Sequence, residues 1–285
     1  MISYEYLKYY QNDDNLINSY NTFTQNIFSF DLSTWRDKGF WQDNYIPHSL
    51  ILDNEIIANI SASIMNLQIN GAPIKAVQLG SVGVLPKFRG LGLARLLMEK
   101  VLEEYSEYSL IFLFASDDVS EFYKKFGFIR VDEGIPYINV EENTVFNKPV
   151  KIPLESSNID KLLNTHTQYS SILDARGNPN IYWFHLLYNF KNDIYYIQEK
   201  DVLLIARYRN SVVDLYDVMS VDKTNFEEIK NHILKEDVNR VNFHFTPDWL
   251  DVNYHVQPRK DKAIYIYGDL EADMFSAKFP KTSTT

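Results

Sequence analysis

The chain has 285 residues, 45% of them apolar and 23% charged, with 20 Tyr, 18 Phe, no Cys and a formal net charge of -10. That length suffices for about two domains with a buried core, the missing cysteine excludes disulfides, a thiolate nucleophile and Cys-bound zinc, and the negative balance opposes broad affinity for nucleic acid or an anionic membrane. No run reaches membrane-spanning length and the start, "MISYEYLKYYQNDDN", lacks the basic flank and apolar core of a secretion signal, so a cytoplasmic protein with neither a membrane nor a nucleic-acid partner is expected.

Up to about Trp41, polar and aromatic residues mix without clean periodicity, which predicts short helices and loops. The next segment carries apolar runs at Leu50 to Leu52 and Ile56 to Ile60 around Asp53-Asn54-Glu55, then a third run after Asn70-Gly71. It reads as an antiparallel meander of three strands ending at Pro86. Ala94, Leu97, Met98, Val101, Leu102 and Tyr105 then recur at helical spacing, with Glu99, Lys100, Glu103 and Glu104 opposite. "YSLIFLFA", from Tyr108, predicts a strand buried on both faces. "SDDVSEFYKKFGF" predicts a helix opened by Ser116 or Asp117 and stopped by Gly127, and "FIRV" a further strand. A glycine, two prolines and an acidic patch between Val131 and Pro153 place a domain boundary there, dividing the chain into 1–145 and 146–285. The second part repeats some of the pattern: "IYYIQEKDVLLIARY" as a hairpin, "SVVDLYDVM" as a strand, "NFEEIKNHIL" as a helix and "VNRVNFHF" as a strand. The expected class is therefore α/β (α+β), a mixed sheet with an antiparallel meander followed by a smaller, related α+β domain.

The informative stretch is "SVGVLPKFRGLGLARLLMEKV", where a strand passes through two glycines into a helix. Such a turn leaves the first N–H groups of the helix unpaired, and Gly90 and Gly92 let an anion approach the backbone closely, with Lys87, Arg89 and Arg95 nearby. A nucleotide P-loop would need Gly-Lys-Ser/Thr, and Gly92 is followed by Leu93-Ala94. A dinucleotide fingerprint would need Gly or Ala at Arg95 and an opening βαβ unit. Neither fits.

The turn resembles the acyl-CoA binding segment of the GNAT superfamily of N-acyltransferases, with Lys87, Gly90 and Gly92 on its Gln/Arg-x-x-Gly-x-Gly/Ala pattern. A second, separate match is Tyr123 ahead of Gly127-Phe128. The resemblance covers roughly Tyr20 to Asp132 and implies that fold. It also implies that the backbone of Val82, Gly83 and Val84 pairs with the pantetheine arm of acetyl-CoA and that Lys87, Phe88, Arg89, Gly90, Leu91, Gly92, Leu93 and Ala94 hold the pyrophosphate. Ser116 stands where the family has a cofactor-binding Asn, and Tyr123 would protonate the departing thiolate. The acceptor pocket is expected among the early aromatics Phe28, Trp35 and Trp41, with Asp31, Asp37 and Asp43 able to hold a cation. No His shows metal spacing, so no metal is expected, and His48 is a weak candidate base.

The whole chain resembles bacterial aminoglycoside acetyltransferases of the enhanced-intracellular-survival type, in which a second GNAT-like half follows the first and a terminal carboxylate acts as base. "KFPKTSTT" offers less chain than those proteins have, and Thr285 is given no such role. The second half has no glycine turn, so it should bind no CoA and should close the acceptor cleft. The expected activity is transfer of an acetyl group to a primary amine of a small cationic acceptor by direct attack. The alternatives are a protein or peptide N-acetyltransferase and a CoA-binding regulator.

Overall fold

Asp13 opens the first helix by accepting the N–H groups of Asn15 and Leu16 on Oδ1, at 3.0 and 3.1 Å. The helix, α1 (Asp14–Phe28), buries Ile17, Tyr20, Asn21, Phe23 and Thr24. Short α2 (Ser33–Asp37) follows and sinks Trp35 into the core. The computed structural model describes residues 4–141, 145–259, 263–268 and 277–285.

The first sheet contains β1 (Glu5–Leu7), β2 (Tyr45–Leu52), β3 (Glu55–Ile69), β4 (Ala72–Val84), β5 (Leu110–Ala115), β15 (Ala263–Tyr267) and β6 (Ile129–Val131), in that spatial order, with β9 (Leu173–Arg176) added to β3. The predicted meander is present as β2, β3 and β4. Helix α3 (Leu93–Glu104) carries the chain from β4 to its parallel neighbour β5, burying Leu93, Leu97, Met98 and Val101. Helix α4 (Ser120–Lys124) is a single turn before Gly127, whose φ of 90° ends it.

A second sheet runs β14 (His255–Pro258), β7 (Gly134–Asn139), β13 (Arg240–Phe243), β12 (Val212–Ser220), β11 (Val202–Arg209), β10 (Ile194–Ile197) and β8 (Val150–Lys151). It repeats the design of the first: α7 (Phe226–Ile233) crosses between the parallel pair β12 and β13. Two further helices, α5 (Ser157–Thr165) and α6 (Pro179–Tyr188), lie in this half of the sequence.

A division at 145 does not follow the sheets. β7 precedes that point and lies in the second sheet, whereas β9 and β15 follow it and lie in the first. The reason is visible at the crossing. Glu133, almost fully buried, receives Lys278 Nζ at 2.7 Å, Arg259 Nη1 at 2.6 Å and the backbone N–H of Phe279 at 3.0 Å. A buried carboxylate is tolerable only with such partners, and these draw the late segment to the place where the chain leaves the first sheet. β15 can then fill the slot between β5 and β6.

Candidate active site

β4 and β5 pair only from Ala76 with Leu110 to Leu79 with Leu113. Beyond Leu79 the strands part: β4 keeps β3 on its other edge, and β5 keeps β15. The register shift of β4 against β3 between Asn59 and Ser61 places an extra residue in β4, and Ser81 has φ 47°. The edge of Val82, Gly83 and Val84 toward β5 is thus without a strand partner, the geometry by which an extended amide-bearing chain adds to a sheet. Gly83 is required for packing as well, since a Cβ there would fall 3.0 Å from Ile27 Cγ2 and 3.3 Å from the rings of Phe23 and Phe28.

At the end of β4, a 3₁₀ turn (Pro86–Phe88) leads into Gly90 and Gly92, with φ values of 79° and 78°. No atom lies within 4 Å of a Cβ built on either glycine. Gly92 caps α3 and no side chain bonds to the helix start, so the first-turn N–H groups stay open with the positive helix end behind them. A groove of about 440 Å³ runs past Val82, Gly83, Val84, Phe88, Arg89 and this turn. The fit to a pantetheine arm and its pyrophosphate is therefore one of open edge, open N–H groups and space. Lys87 and Leu91 take no part in lining it: Lys87 pairs with Glu55 at 2.7 Å, and the Leu91 side chain is exposed. Any contact from these two would be through the backbone.

A second cavity, of about 1100 Å³, is lined by both parted strands, by Leu79 to Val82 and by Leu113 to Ala115. Val82, Val119 and Tyr123 line both. The Tyr123 ring packs edge-on to Phe122 and Phe128 and tilted to Tyr265, with ring centroids 5.2, 5.9 and 5.6 Å away. Its hydroxyl makes no hydrogen bond among the described residues. Burial, with a smaller contribution from Tyr265, pushes its pKa up to about 12, so it stays protonated and able to donate a hydrogen bond at any physiological pH. Ser116 also borders this second cavity, and its hydroxyl donates to Asp118.

The wall opposite is aromatic: Phe28, Phe30, Trp35, Phe184 and Tyr188, with Asp31 among them. Phe28 and Trp35 are where the sequence placed them. Trp41 is not. It packs in the core against Tyr20, Trp35 and Tyr45 and donates to the Tyr45 carbonyl at 3.2 Å, because the chain turns inward after α2 to start β2. Asp37 and Asp43 likewise do not line the cavity. His48 is remote from it, fully buried between Tyr6 at 2.6 Å and Tyr105 at 2.9 Å, and burial lowers its pKa to about 4.

The last residues form a strap along this cavity, a placement the sequence reading did not expect. Thr282 donates to Asp217 at 2.7 Å, Gln78 donates to the Ser283 carbonyl at 3.0 Å, His185 meets the Thr284 carbonyl at 2.7 Å, and the Thr285 N–H donates to Gln78 at 2.6 Å. Gln78 and His185 are buried. Thr285 therefore reaches Gly80, where an added Cβ would stand 3.1 Å from its carbonyl carbon. The bond to a carbonyl fixes the proton of His185 on Nε2. Nδ1 accepts from Asn189 at 3.0 Å, and burial lowers the pKa to about 3. That ring holds the strap and does not act as a base.

A sheet whose central parallel strands splay over a glycine turn and a helix start defines the acyl-CoA N-acyltransferase fold. Part of the chain, residues 20–131, matches the family model described as "Acetyltransferase (GNAT) domain". A 56-residue part is 41% identical to uncharacterized N-acetyltransferases ycf52 of Porphyra purpurea and Pyropia yezoensis, covering 19% of this chain and 32% of theirs. The fold likeness extends much further. A probable N-acyltransferase of Enterococcus faecalis and Eis1 of Mycobacterium abscessus each superpose with a TM-score of 0.62 at 13% identity, over 92% of this chain and 72% of theirs. A GCN5-related N-acetyltransferase of Anabaena variabilis gives 0.58 at 14% identity. Both sheets therefore belong to this fold, with the glycine turn in the first alone.

Proposed function

We propose that the protein is an acetyl-CoA-dependent N-acetyltransferase that passes the acetyl group directly to a primary amine of a small cationic acceptor. The observation that carries this is the meeting of the two cavities at Val82, Val119 and Tyr123. A thioester laid along the unpaired edge of β4 from the glycine turn would bring its carbonyl to that junction. An amine in the second cavity would approach from the opposite side, and holding the two reactants together supplies most of the acceleration.

The neutral amine nitrogen adds to the thioester carbon, the C–S bond breaks, and Tyr123 donates a hydrogen bond to the leaving sulfur. The amine's proton passes to water, since His185, the histidine on the wall, is committed to the strap. Asp31 and the aromatic wall give a second positive group of the acceptor a counter-charge and π faces. These features support a small polyamine-like acceptor over an extended peptide, because the strap narrows the cavity at Gly80.

Thiol release from acetyl-CoA with a panel of diamines, aminoglycosides and peptide N-termini tests the reading. Release that depends on a small diamine supports it. Release with peptides alone would make the protein a peptide acetyltransferase, and bound CoA without release from any amine would make it a regulator.

A further inference from the structure

A third cavity, of about 60 Å³, lies behind the strap, between α6, β9 and β12, and does not include Tyr123 or the glycine turn. Two carboxylates line it. Asp174 accepts the N–H groups of Ser170 and Ala175, both at 2.8 Å, and Asp217 accepts Thr282 Oγ1 at 2.7 Å and the Val218 N–H at 2.8 Å. Each keeps at least one of a carboxylate's acceptor positions for a further donor, and neither has an ion pair among the described residues. The nearby Arg176 guanidinium is stacked over Tyr169, 4.3 Å from the ring centre. Burial pushes Asp174 up to about 7, with the Asp217 charge adding to it, and burial raises Asp217 as well; Arg176 and His166 offset these shifts only in part.

The second observation is independent of the acids. Asn178 and Tyr182, more than nine-tenths buried, also line the cavity; the Tyr182 hydroxyl is within hydrogen-bonding reach of Asp217, and Asn178 Nδ2 has no hydrogen-bond partner among the described residues. Unpaired buried donors are rare in native proteins. The remaining wall includes Met219, Phe245 and Trp249, and no group of three or more metal-ligating residues occurs among the described residues. Two carboxylates with no ion pair among the described residues, a buried amide donor with no acceptor and an apolar wall together describe an organic ligand.

We propose that this cavity binds a small amino alcohol, its ammonium on Asp174 and Asp217 and its hydroxyl on Asn178. The volume has room for roughly four or five waters, which limits the ligand to about that many heavy atoms, the size of ethanolamine. The site is separate from the acceptor cavity and does not depend on the transferase reading.

Calorimetric titration with ethanolamine tests it, without acetyl-CoA present. Saturable one-to-one binding is expected in the wild type and in Asp31→Asn, which alters the acceptor cavity. Binding should weaken at least tenfold in Asp174→Asn and in Asp217→Asn, and vanish in Ala175→Leu, which fills the space. Propylamine and ethylene glycol, each lacking one of the two groups, should bind more weakly. No saturable heat in the wild type, unchanged binding in both acid variants, or loss in Asp31→Asn would overturn the proposal. Should Asp217→Asn fail to fold by its melting curve, Asp174→Asn and Ala175→Leu decide. Thiol release measured on the same samples separates this outcome from the transferase reading, which stands or falls on release alone.

Discussion

Replacing Tyr123 by Phe removes a single oxygen from the junction of the two cavities. A thiol has an ordinary pKa near 8.5, whereas burial holds Tyr123 at about 12. Full proton transfer from this phenol to a departing thiolate is uphill by about 3.5 units, or roughly 5 kcal/mol. Tyr123 therefore works by donating a hydrogen bond to developing charge and keeping its proton, with the thiolate taking a proton later from water. A hydrogen bond to a charged group contributes about 1.5–3 kcal/mol, so Tyr123→Phe should lower kcat by roughly 10- to 150-fold and leave the Kd for CoA within about twofold. Steady-state thiol release gives the first quantity and calorimetry the second. The active form is the protonated one, present below about 12, so the wild-type rate should show no fall on the alkaline side up to about pH 10. Unchanged kcat, or an alkaline limb that disappears in Tyr123→Phe, would refute the reasoning.

Gly90→Trp should weaken CoA binding by at least about 100-fold, at a stability cost of about 1–2 kcal/mol for its left-handed backbone. Calorimetry and a melting curve read the two effects separately. Gly80→Val should push Thr285 out of the acceptor cavity and lower kcat/KM for the amine by about tenfold or more, with CoA affinity kept. Trp41→Ala should destabilise the fold by about 3–5 kcal/mol in a denaturant titration and leave the amine KM unchanged at a permissive temperature, since it is a core residue. His48 has a folded pKa of about 4, below the unfolded 6.5. Its contribution is complete above pH 6.5 and is lost as pH falls toward 4. Between those values, His48→Gln should reduce the slope of stability against pH by about 1.4 kcal/mol per unit, measured by urea titrations.

The legible parts of the sequence were those where one local rule acts alone. The meander, α3, β5 and the glycine turn follow from turn pairs, apolar period and the φ demands of Gly90 and Gly92. The stretch of α1 was expected as short helices and loops rather than one helix of 15 residues, because its buried face includes Asn21 and Thr24, which blur the apolar period. β15 and the strap escaped for a different reason. Their places depend on partners 126 to 207 positions away: Glu133 with Arg259, Lys278 and Phe279, and Gln78 with Ser283 and Thr285. No spacing rule reaches that far. Trp41 shows the converse limit: five aromatics lie within fourteen residues, yet only the direction of the chain after α2 decides that Phe28, Phe30 and Trp35 face the cavity and Phe40 and Trp41 do not.

The central claim is that acyl group and amine meet at Tyr123. Acetyl-CoA carrying an isotopic label in its acetyl group, incubated with a diamine and analysed by mass spectrometry, tests it most directly. Labelled monoacetyl diamine is expected from the wild type, with strongly slowed formation in Tyr123→Phe and none in Gly90→Trp. Labelled product forming at the wild-type rate with Gly90→Trp, or no labelled amine at all while CoA still binds, would contradict it.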